Sequence, residues 1–353
     1  MATARPGGPD SSADSPRHET IVHSLETLLC RRRQAAKHHL ARHKAALLAE
    51  PAALSDNQQQ ERHRLAALLG WPLIDIREHA EGAALSIRPG PGVAWAHVSQ
   101  IDFEVADGFH SYALVFLPQE EAGSAELKPL LVVQHGGWGT PEVVAGLSGP
   151  DNYNGVVRQA VDRGWIVVLP QLLTWQEKVR PVISQSRIDL DLKQLGGSRV
   201  ALDLRILQRA AEIATDHFPV DPDRWSIAGL SYGGFYALLA GALDLRFRAV
   251  LSSCYVNDRF RYNWTDWVWS DSARWIDDAM LALLIHPRPL WVEAGTKDEI
   301  FDIKTARPVL GEIAALYETL GCGSRAVARE FPGTHEFCPD FAGLDFLRCK
   351  TSV

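Results

Sequence analysis

The chain carries Gly229-Leu230-Ser231-Tyr232-Gly233, a serine centred in a G-x-S-x-G pattern. An apolar run, Trp225–Ala228, precedes it and an apolar helical stretch, Phe235–Leu243, follows. The predicted order is strand, tight turn, helix, with the serine at the apex. A serine on so sharp a turn adopts a strained backbone, and side chains two residues to either side would collide with it. The strain lifts the hydroxyl above the sheet edge. The same turn aims the Tyr232 N–H at the place where an oxyanion would form. The chemistry this suits is nucleophilic attack on a carbonyl carbon. A serine hydroxyl needs a base to take its proton, an acid to orient that base and a second oxyanion donor.

Each of these has a candidate. Pro129–Gln134 reads as a strand buried on both faces and ends in His135-Gly136-Gly137-Trp138-Gly139. Glycines there let the backbone approach a substrate and point an N–H into the site. The second donor is expected from Gly137 or Trp138, with Gly136 a third choice, and His135 and Gly136 are placed beside the substrate. The alternative is an ordinary glycine-rich strand exit. The acid is Asp298, which lies past the end of the strand Pro289–Gly295. Glu293, inside that strand, and Glu299, one residue further along, stay open as alternatives, and Asp298 also fits a turn or helix cap. The base is His335, in the loop Pro332–Phe337 after the strand Ser324–Phe331. With 13 histidines in the chain, its position after the last strand is what selects it.

These groups need a scaffold that brings strand ends to one edge. Eight strands are expected: Val98–Phe103, Ser111–Leu117, Pro129–Gln134, Trp165–Leu169, Trp225–Ala228, Arg248–Ser253, Leu290–Ala294 and Arg325–Phe331. The first two read as an antiparallel start turning near Asp107-Gly108. Helices alternate with the later strands at Asn154–Arg163, Arg199–Asp216, Phe235–Leu243, Ile303–Leu320 and Phe341–Cys349. This is an α/β pattern, a mostly parallel sheet with helices on both faces. The active edge is then the one at the carboxyl ends of the strands. Residues 171–197 and 254–278 interrupt the alternation at that edge and are read as covering segments. The second holds Trp264, Trp267, Trp269 and Trp275. They suit either an aromatic wall for a sugar ring or acyl group, or the segment's own small core.

Residues 1–17 are rich in glycine, proline, serine and charge and are expected to be disordered. Residues 18–95 read as an N-terminal helical extension and 96–353 as the catalytic domain. One helix is expected over 18–50, and a second opens with a capping box, Ser55-Asp56-Asn57-Gln58, and runs to Leu69. The first carries Arg31-Arg32-Arg33 and, four residues apart, His39 and His43. The histidines suit a solvated face better than a shared metal. The pair of helices suits packing on the core or homo-oligomerisation.

Over 353 residues the composition is 46% hydrophobic and 22% charged, ordinary for a globular protein. A net charge of −7 argues against nucleic acid as a partner. No apolar run approaches the ~20 residues of a membrane span. The five cysteines are scattered and form no C-x-x-C pair. No apolar leader segment follows Met1, so the expected location is the cytoplasm, with free thiols.

From about Ala96 to Phe346 the chain resembles the serine α/β-hydrolase superfamily, in which the triad follows the order Ser231, Asp298, His335. Within it, the chain resembles the branch of dienelactone-hydrolase-like and acetyl-xylan-esterase-like enzymes. The stretches Val220–Gly229, Ala282–Leu290 and Phe331–Phe337 carry that closer match. It departs from the commonest form in having Thr334 before the histidine. The resemblance implies an α/β-hydrolase fold and a serine esterase acting on short acyl esters, such as acetyl, of carbohydrates or other small alcohols. The mechanism requires no metal or organic cofactor. A serine nucleophile argues against strict dienelactone hydrolase activity, where cysteine attacks. A peptidase or amidase of the same superfamily is the first rival, and a non-catalytic binding module on this fold the second. The residues before the core are too few for the propeller that prolyl-oligopeptidase-like enzymes carry.

Overall fold

A computed structural model of the protein describes residues 16–74, 85–119, 126–149, 151–173 and 184–351. Nine strands form one sheet: β1 (Leu85–Pro89), β2 (Ala96–Ala106), β3 (Phe109–Pro118), β4 (Lys128–Gln134), β5 (Ile166–Pro170), β6 (Val220–Leu230), β7 (Phe247–Ser253), β8 (Leu290–Gly295) and β9 (Ala326–Phe331). Their spatial order is β1-β2-β3-β5-β4-β6-β7-β8-β9. Strands β4 to β9 run mutually parallel, and β1, β2 and β3 join antiparallel at one edge.

The eight-strand expectation falls one short. The extra strand, β1, lies in the stretch read as helical extension, and every one of its residues is exposed. It pairs on one side only, with β2. Leu85-Ser86-Ile87-Arg88 does alternate, but the run ends after four residues at Pro89, too short to mark a strand. The central strands are the opposite case. All of β5 and β8 and all but the first residue of β4 are buried, as strands covered on both faces must be.

One face of the sheet is covered by α6 (Arg199–His217), α7 (Tyr232–Leu243), α8 (Asp278–Ile285) and α9 (Ile303–Thr319), through residues such as Leu204, Leu238, Leu283 and Ile313. The other face takes α3 (Pro141–Val144), α4 (Val156–Asp162) and α10 (Ala342–Lys350), with Val144, Val157, Ala160, Leu344 and Leu347 in its core. Helix α8 escapes the sequence reading because it is apolar and buried throughout and so shows no amphipathic period.

The N-terminal helices are α1 (Pro16–Ala49) and α2 (Leu54–Leu69). The capping box is not formed. Ala53 occupies the cap position, after a short 3-10 turn that starts at Pro51, so Ser55 falls inside the helix. Gln58 is buried instead and donates to the carbonyls of Leu283 and His286 at 2.6 and 2.8 Å. Arg62 donates to Ala242 at 3.0 Å and Leu284 at 2.8 Å. Helix α2 thus docks by satisfying carbonyls at the C-terminal ends of α7 and α8, which have no intrahelical donors. The second half of α1 lies against the segment 254–278, where Lys37 pairs with Asp258 at 2.9 Å and Lys44 with Asp277 at 2.7 Å. His39 and His43 are half-buried, and both set their rings edge-on to Trp275, so the solvated face expected for them is partly covered by the segment 254–278.

Of the covering segment 171–197, residues 174–183 lie outside the described residues, as do residues 1–15 of the expected tail. The rest of it holds a helix, α5 (Gln185–Gln194), where an irregular stretch was expected. Among the described residues, no helix is long and apolar enough to cross a membrane.

Candidate active site

Strand β6 ends at Leu230 and α7 begins at Tyr232, leaving Ser231 alone between them at φ 61° and ψ −122°. Few non-glycine residues adopt this region, and holding one there costs about 1–3 kcal/mol. The surroundings impose it. A Cβ on Gly229 would overlap the carbonyl of Gly233, and a Cβ on Gly233 would overlap that of Gln134. The Ser231 N–H donates to the Ser253 carbonyl at 3.0 Å, which ties the turn to the end of β7.

Asp298 and His335 come from the loops after β8 and β9. Backbone bonds join these loops, from Thr296 to Phe331 and from Lys297 to Gly333, each at 2.9 Å. His335 Nδ1 lies 2.8 Å from Asp298 Oδ2. The other carboxylate oxygen accepts the N–H groups of Ile300 and Phe301, both at 2.8 Å. Burial pushes this carboxyl's pKa up. The hydrogen bond and charge of His335, with the two backbone donors, outweigh it and hold the group below its ordinary value. A charged Asp298 keeps the imidazole proton on Nδ1 and leaves Nε2 as a base. The His335 carbonyl is braced in turn by Asn152 Nδ2 at 2.9 Å.

The alternatives for the acid are placed elsewhere. Glu293 is buried, with Trp291 Nε1 at 2.7 Å, Arg329 Nη2 at 2.9 Å and Ser253 Oγ at 3.1 Å, and Glu299 is exposed.

The loop after β4 stands beside the serine. Gly136 faces it so closely that an added Cβ would sit 3.3 Å from Ser231 Cβ. The Gly136 N–H donates to the Tyr153 hydroxyl at 2.6 Å, which removes it as an oxyanion donor. Gly137 and Trp138 are exposed, Trp138 at φ 60°.

His135 needs correcting as a substrate contact. It is buried, its Nδ1 bonds the Gly136 carbonyl at 2.8 Å, and its Nε2 accepts the Leu172 N–H at 3.1 Å. Burial lowers its pKa to about 4. It is a neutral internal brace for the loop, because both ring nitrogens are already used.

The three tryptophans placed at the substrate separate. Trp264 is 41% exposed and stacks on the Tyr232 ring at 5.8 Å. Trp267 is buried between Tyr232 and Phe235, at 4.8 and 5.1 Å. Trp269 is half-buried against the same core. The small-core reading therefore holds for Trp267 and Trp269, and only Trp264 is open.

Several residues around the site went unread in the sequence. Phe301 packs on the His335 ring at 5.7 Å. Asp266 receives the Tyr232 hydroxyl at 3.3 Å and pairs with the buried Arg199 at 2.7 Å, tying the covering segment to the residue after the serine. Cys254 lies within 4.8 Å of the Asp298 and His335 ligand atoms. Burial, then the nearby Asp298 charge, pushes its thiol up to about 12, so it stays protonated. Nothing in their local sequence marks these residues, since each acts through a contact between distant segments. Asn152-Tyr153-Asn154-Gly155 does read as a polar turn, which was the one available clue.

No protein-family model matches the chain, and no curated protein matches it by sequence. Solved structures do match its fold. A putative acetyl xylan esterase from Bacteroides fragilis aligns at 14% identity over 84% of this chain and 78% of its own, with a TM-score of 0.64. A glucuronoyl esterase from Solibacter usitatus aligns at 15% identity over 84% and 93%, TM-score 0.62. Acetyl xylan esterase 1 from a Thermoanaerobacterium species aligns at 17% identity over 83% and 93%, TM-score 0.53. The six parallel strands, the strained serine between β6 and α7 and these neighbours agree: the chain has an α/β-hydrolase fold.

Proposed function

We propose that the protein is a carboxylic ester hydrolase that works through an acyl-enzyme on Ser231. The observation that carries this is the 2.8 Å bond from His335 Nδ1 to Asp298, formed at the same sheet edge as a serine held at φ 61°. In this reading His335 Nε2 takes the Ser231 proton as Oγ attacks the ester carbonyl. Asp298 stabilises the imidazolium that results. The N–H of Tyr232, at the start of α7, and that of Gly137 or Trp138 hold the oxyanion. Losing one such donor costs ~100- to 1000-fold in rate. The imidazolium then protonates the departing alcohol. His335 next removes a proton from water, whose oxygen attacks the acyl carbon and frees the acid.

The substrate class proposed is a short acyl ester, acetyl above all, of a carbohydrate or similar small alcohol. The exposed Trp264 ring stacked on Tyr232 supports a flat, ring-bearing alcohol beside the nucleophile. The neighbours named as acetyl xylan esterases support the acyl group by analogy of fold.

The test is hydrolysis of p-nitrophenyl acetate, and then of acetylated xylo-oligosaccharides, by the wild type and by Ser231→Ala. Turnover that disappears in a folded variant supports the reading. Equal turnover in both proteins removes Ser231 as the nucleophile. Turnover in neither shifts the assignment to an amidase or a binding module.

A further inference from the structure

Three helices converge on one short turn of the second covering segment. Residues 264–268 form this turn, closed by the Trp267 N–H on the Trp264 carbonyl at 2.9 Å. From α5, Lys193 Nζ donates to the carbonyls of Thr265 and, at 2.9 Å, Val268, while pairing with the buried Asp189 at 2.8 Å. From α6, Arg199 Nη2 donates to Asp266 Oδ2 at 2.7 Å. From α7, the Tyr232 hydroxyl donates to Asp266 Oδ1 at 3.3 Å. Trp267 and Phe301 are buried behind the turn, and Trp264 is left open on the face of Tyr232. Arg199 reaches the first covering segment as well. Its Nη1 donates to Gln185 at 3.0 Å, at the start of α5. Its Nε lies 3.6 Å from Asp203, whose other oxygen accepts the Leu173 N–H at 2.8 Å. One buried guanidinium thus joins both covering segments to the residue after Ser231.

Stability does not account for this arrangement. Arg199, Asp203 and Asp266 are all buried. Burying ions costs about what their pairing returns, and apolar side chains of the same volume often hold a fold as well. Arg199 is also the first residue of α6, where a cation opposes the helix dipole. What hydrogen-bonded ions supply, and apolar packing does not, is a fixed direction.

We propose that Arg199 and Asp266 are positioning residues that set the alcohol specificity of the site by fixing Trp264 against Tyr232. The inference rests on the ester-hydrolase reading above. A ring-bearing alcohol lies on the open Trp264 ring while its ester carbonyl meets Ser231. The triad is held by bonds of its own, from β7 and between the loops after β8 and β9. Loosening Asp266 therefore weakens the hold on the alcohol more than it weakens attack on the acyl carbon.

The test compares kcat/KM for an acetylated xylo-oligosaccharide with kcat/KM for methyl acetate. The two share an acyl group, and only the first has a ring in its alcohol. Arg199 is the wrong residue to remove, since its loss leaves two buried carboxylates unpaired. Asp266→Ala still leaves Arg199 beside Asp203. In this variant the ratio of the two constants should fall about tenfold, through a raised KM for the oligosaccharide. Asp266→Asn keeps an acceptor for Arg199 and a partner for the Tyr232 hydroxyl, and should recover most of the loss. Trp264→Ala should lower the ratio by a similar factor. Trp264→Ala combined with Asp266→Ala should lower it no further, because both act through one ring. Thermal melts show whether each variant is folded. If Asp266→Ala is not, Tyr232→Phe, which deletes only the hydroxyl on Asp266, must lower the ratio about threefold or more. An unchanged ratio, or losses that multiply in the double variant, overturns the inference and leaves the hydrolase reading standing. A wild type that hydrolyses neither ester, or a Ser231→Ala variant that hydrolyses both, overturns that reading and the inference with it.

Discussion

The Ser253 carbonyl accepts the Ser231 N–H at 3.0 Å, and this one residue also reaches the loop that carries His335. Its hydroxyl lies 3.3 Å from the Glu336 carbonyl and 3.1 Å from Glu293 Oε1. The end of β7 therefore sets the turn of Ser231 and the loop of His335 against a common reference. Glu293, a candidate acid in the sequence, belongs to this support. It receives Arg329 and Trp291 as well, and its replacement would disturb packing before chemistry.

Asp298→Asn should lower kcat by ~10³- to 10⁴-fold, because an amide facing Nδ1 favours the tautomer whose Nε2 is no longer a base. The fold should survive, which circular dichroism would show. A loss below tenfold would mean that another carboxylate orients His335. The wild-type carboxylate has a second consequence. Its pKa is depressed, so it contributes stability above the ordinary aspartate range and loses it as pH falls through the lowered value. Asp298→Asn should therefore flatten the acid limb of the urea-denaturation profile.

Ser231→Gly should abolish turnover and stabilise the fold by about 1 kcal/mol, since glycine adopts φ 61° without strain. Urea melts of this variant beside Ser231→Ala measure the difference. Equal stability of the two would show that the turn stores no strain.

Tyr153→Phe removes the acceptor of the Gly136 N–H. A buried donor left unpaired costs about 1–3 kcal/mol. The loop that carries Gly137 and Trp138 should also loosen, so kcat should fall more than KM rises. A variant with normal stability and normal kcat would show that Tyr153 does not position this loop.

His135→Gln tests the buried brace. A histidine whose folded pKa is about 4 resists protonation in the fold, while the unfolded chain takes a proton near pH 6.5. The unfolded state then binds more protons between those values, so acidification destabilises the protein there, by about 3 kcal/mol in all. Asp203 acts in the opposite direction over nearly the same range, since burial raises it to about 6 despite Arg199 beside it. Comparing the two proteins separates these effects, because Asp203 is common to both. The stability of His135→Gln should decline less than that of the wild type from pH 6.5 to 4. Parallel profiles would show that His135 does not carry this acid sensitivity.

The elbow, the loop after β4 and the order of Ser231, Asp298 and His335 were legible because each lies in a local pattern: an apolar strand followed by a glycine-containing turn or loop. Strands buried on both faces announce themselves as apolar runs, so β4, β5, β7 and β8 could be placed to within a residue at either end, whereas β6 begins five residues ahead of its apolar run, in a mostly exposed stretch. The edge strand β1 and the apolar helix α8 could not, since neither carries a contrast between a buried and an exposed face. Ser55 shows how a local rule loses. The capping pattern was present, but Pro51 began the turn earlier and Gln58 was drawn to the carbonyls at the end of α8.

Composition and periodicity by themselves determined the α/β class, the candidate nucleophile's setting between strand and helix, and the strand ends from which the candidate acid and base come. Only the tertiary structure decided that His135 faces inward, that Gly136 is already bonded and that Trp264 alone of three tryptophans is open. It also showed that, among the described residues, the buried side chains of α1 are confined to its last third. The physical reason is range. Backbone preference and side-chain alternation act over a few neighbours, whereas burial and the partner of each polar group depend on segments a hundred residues away.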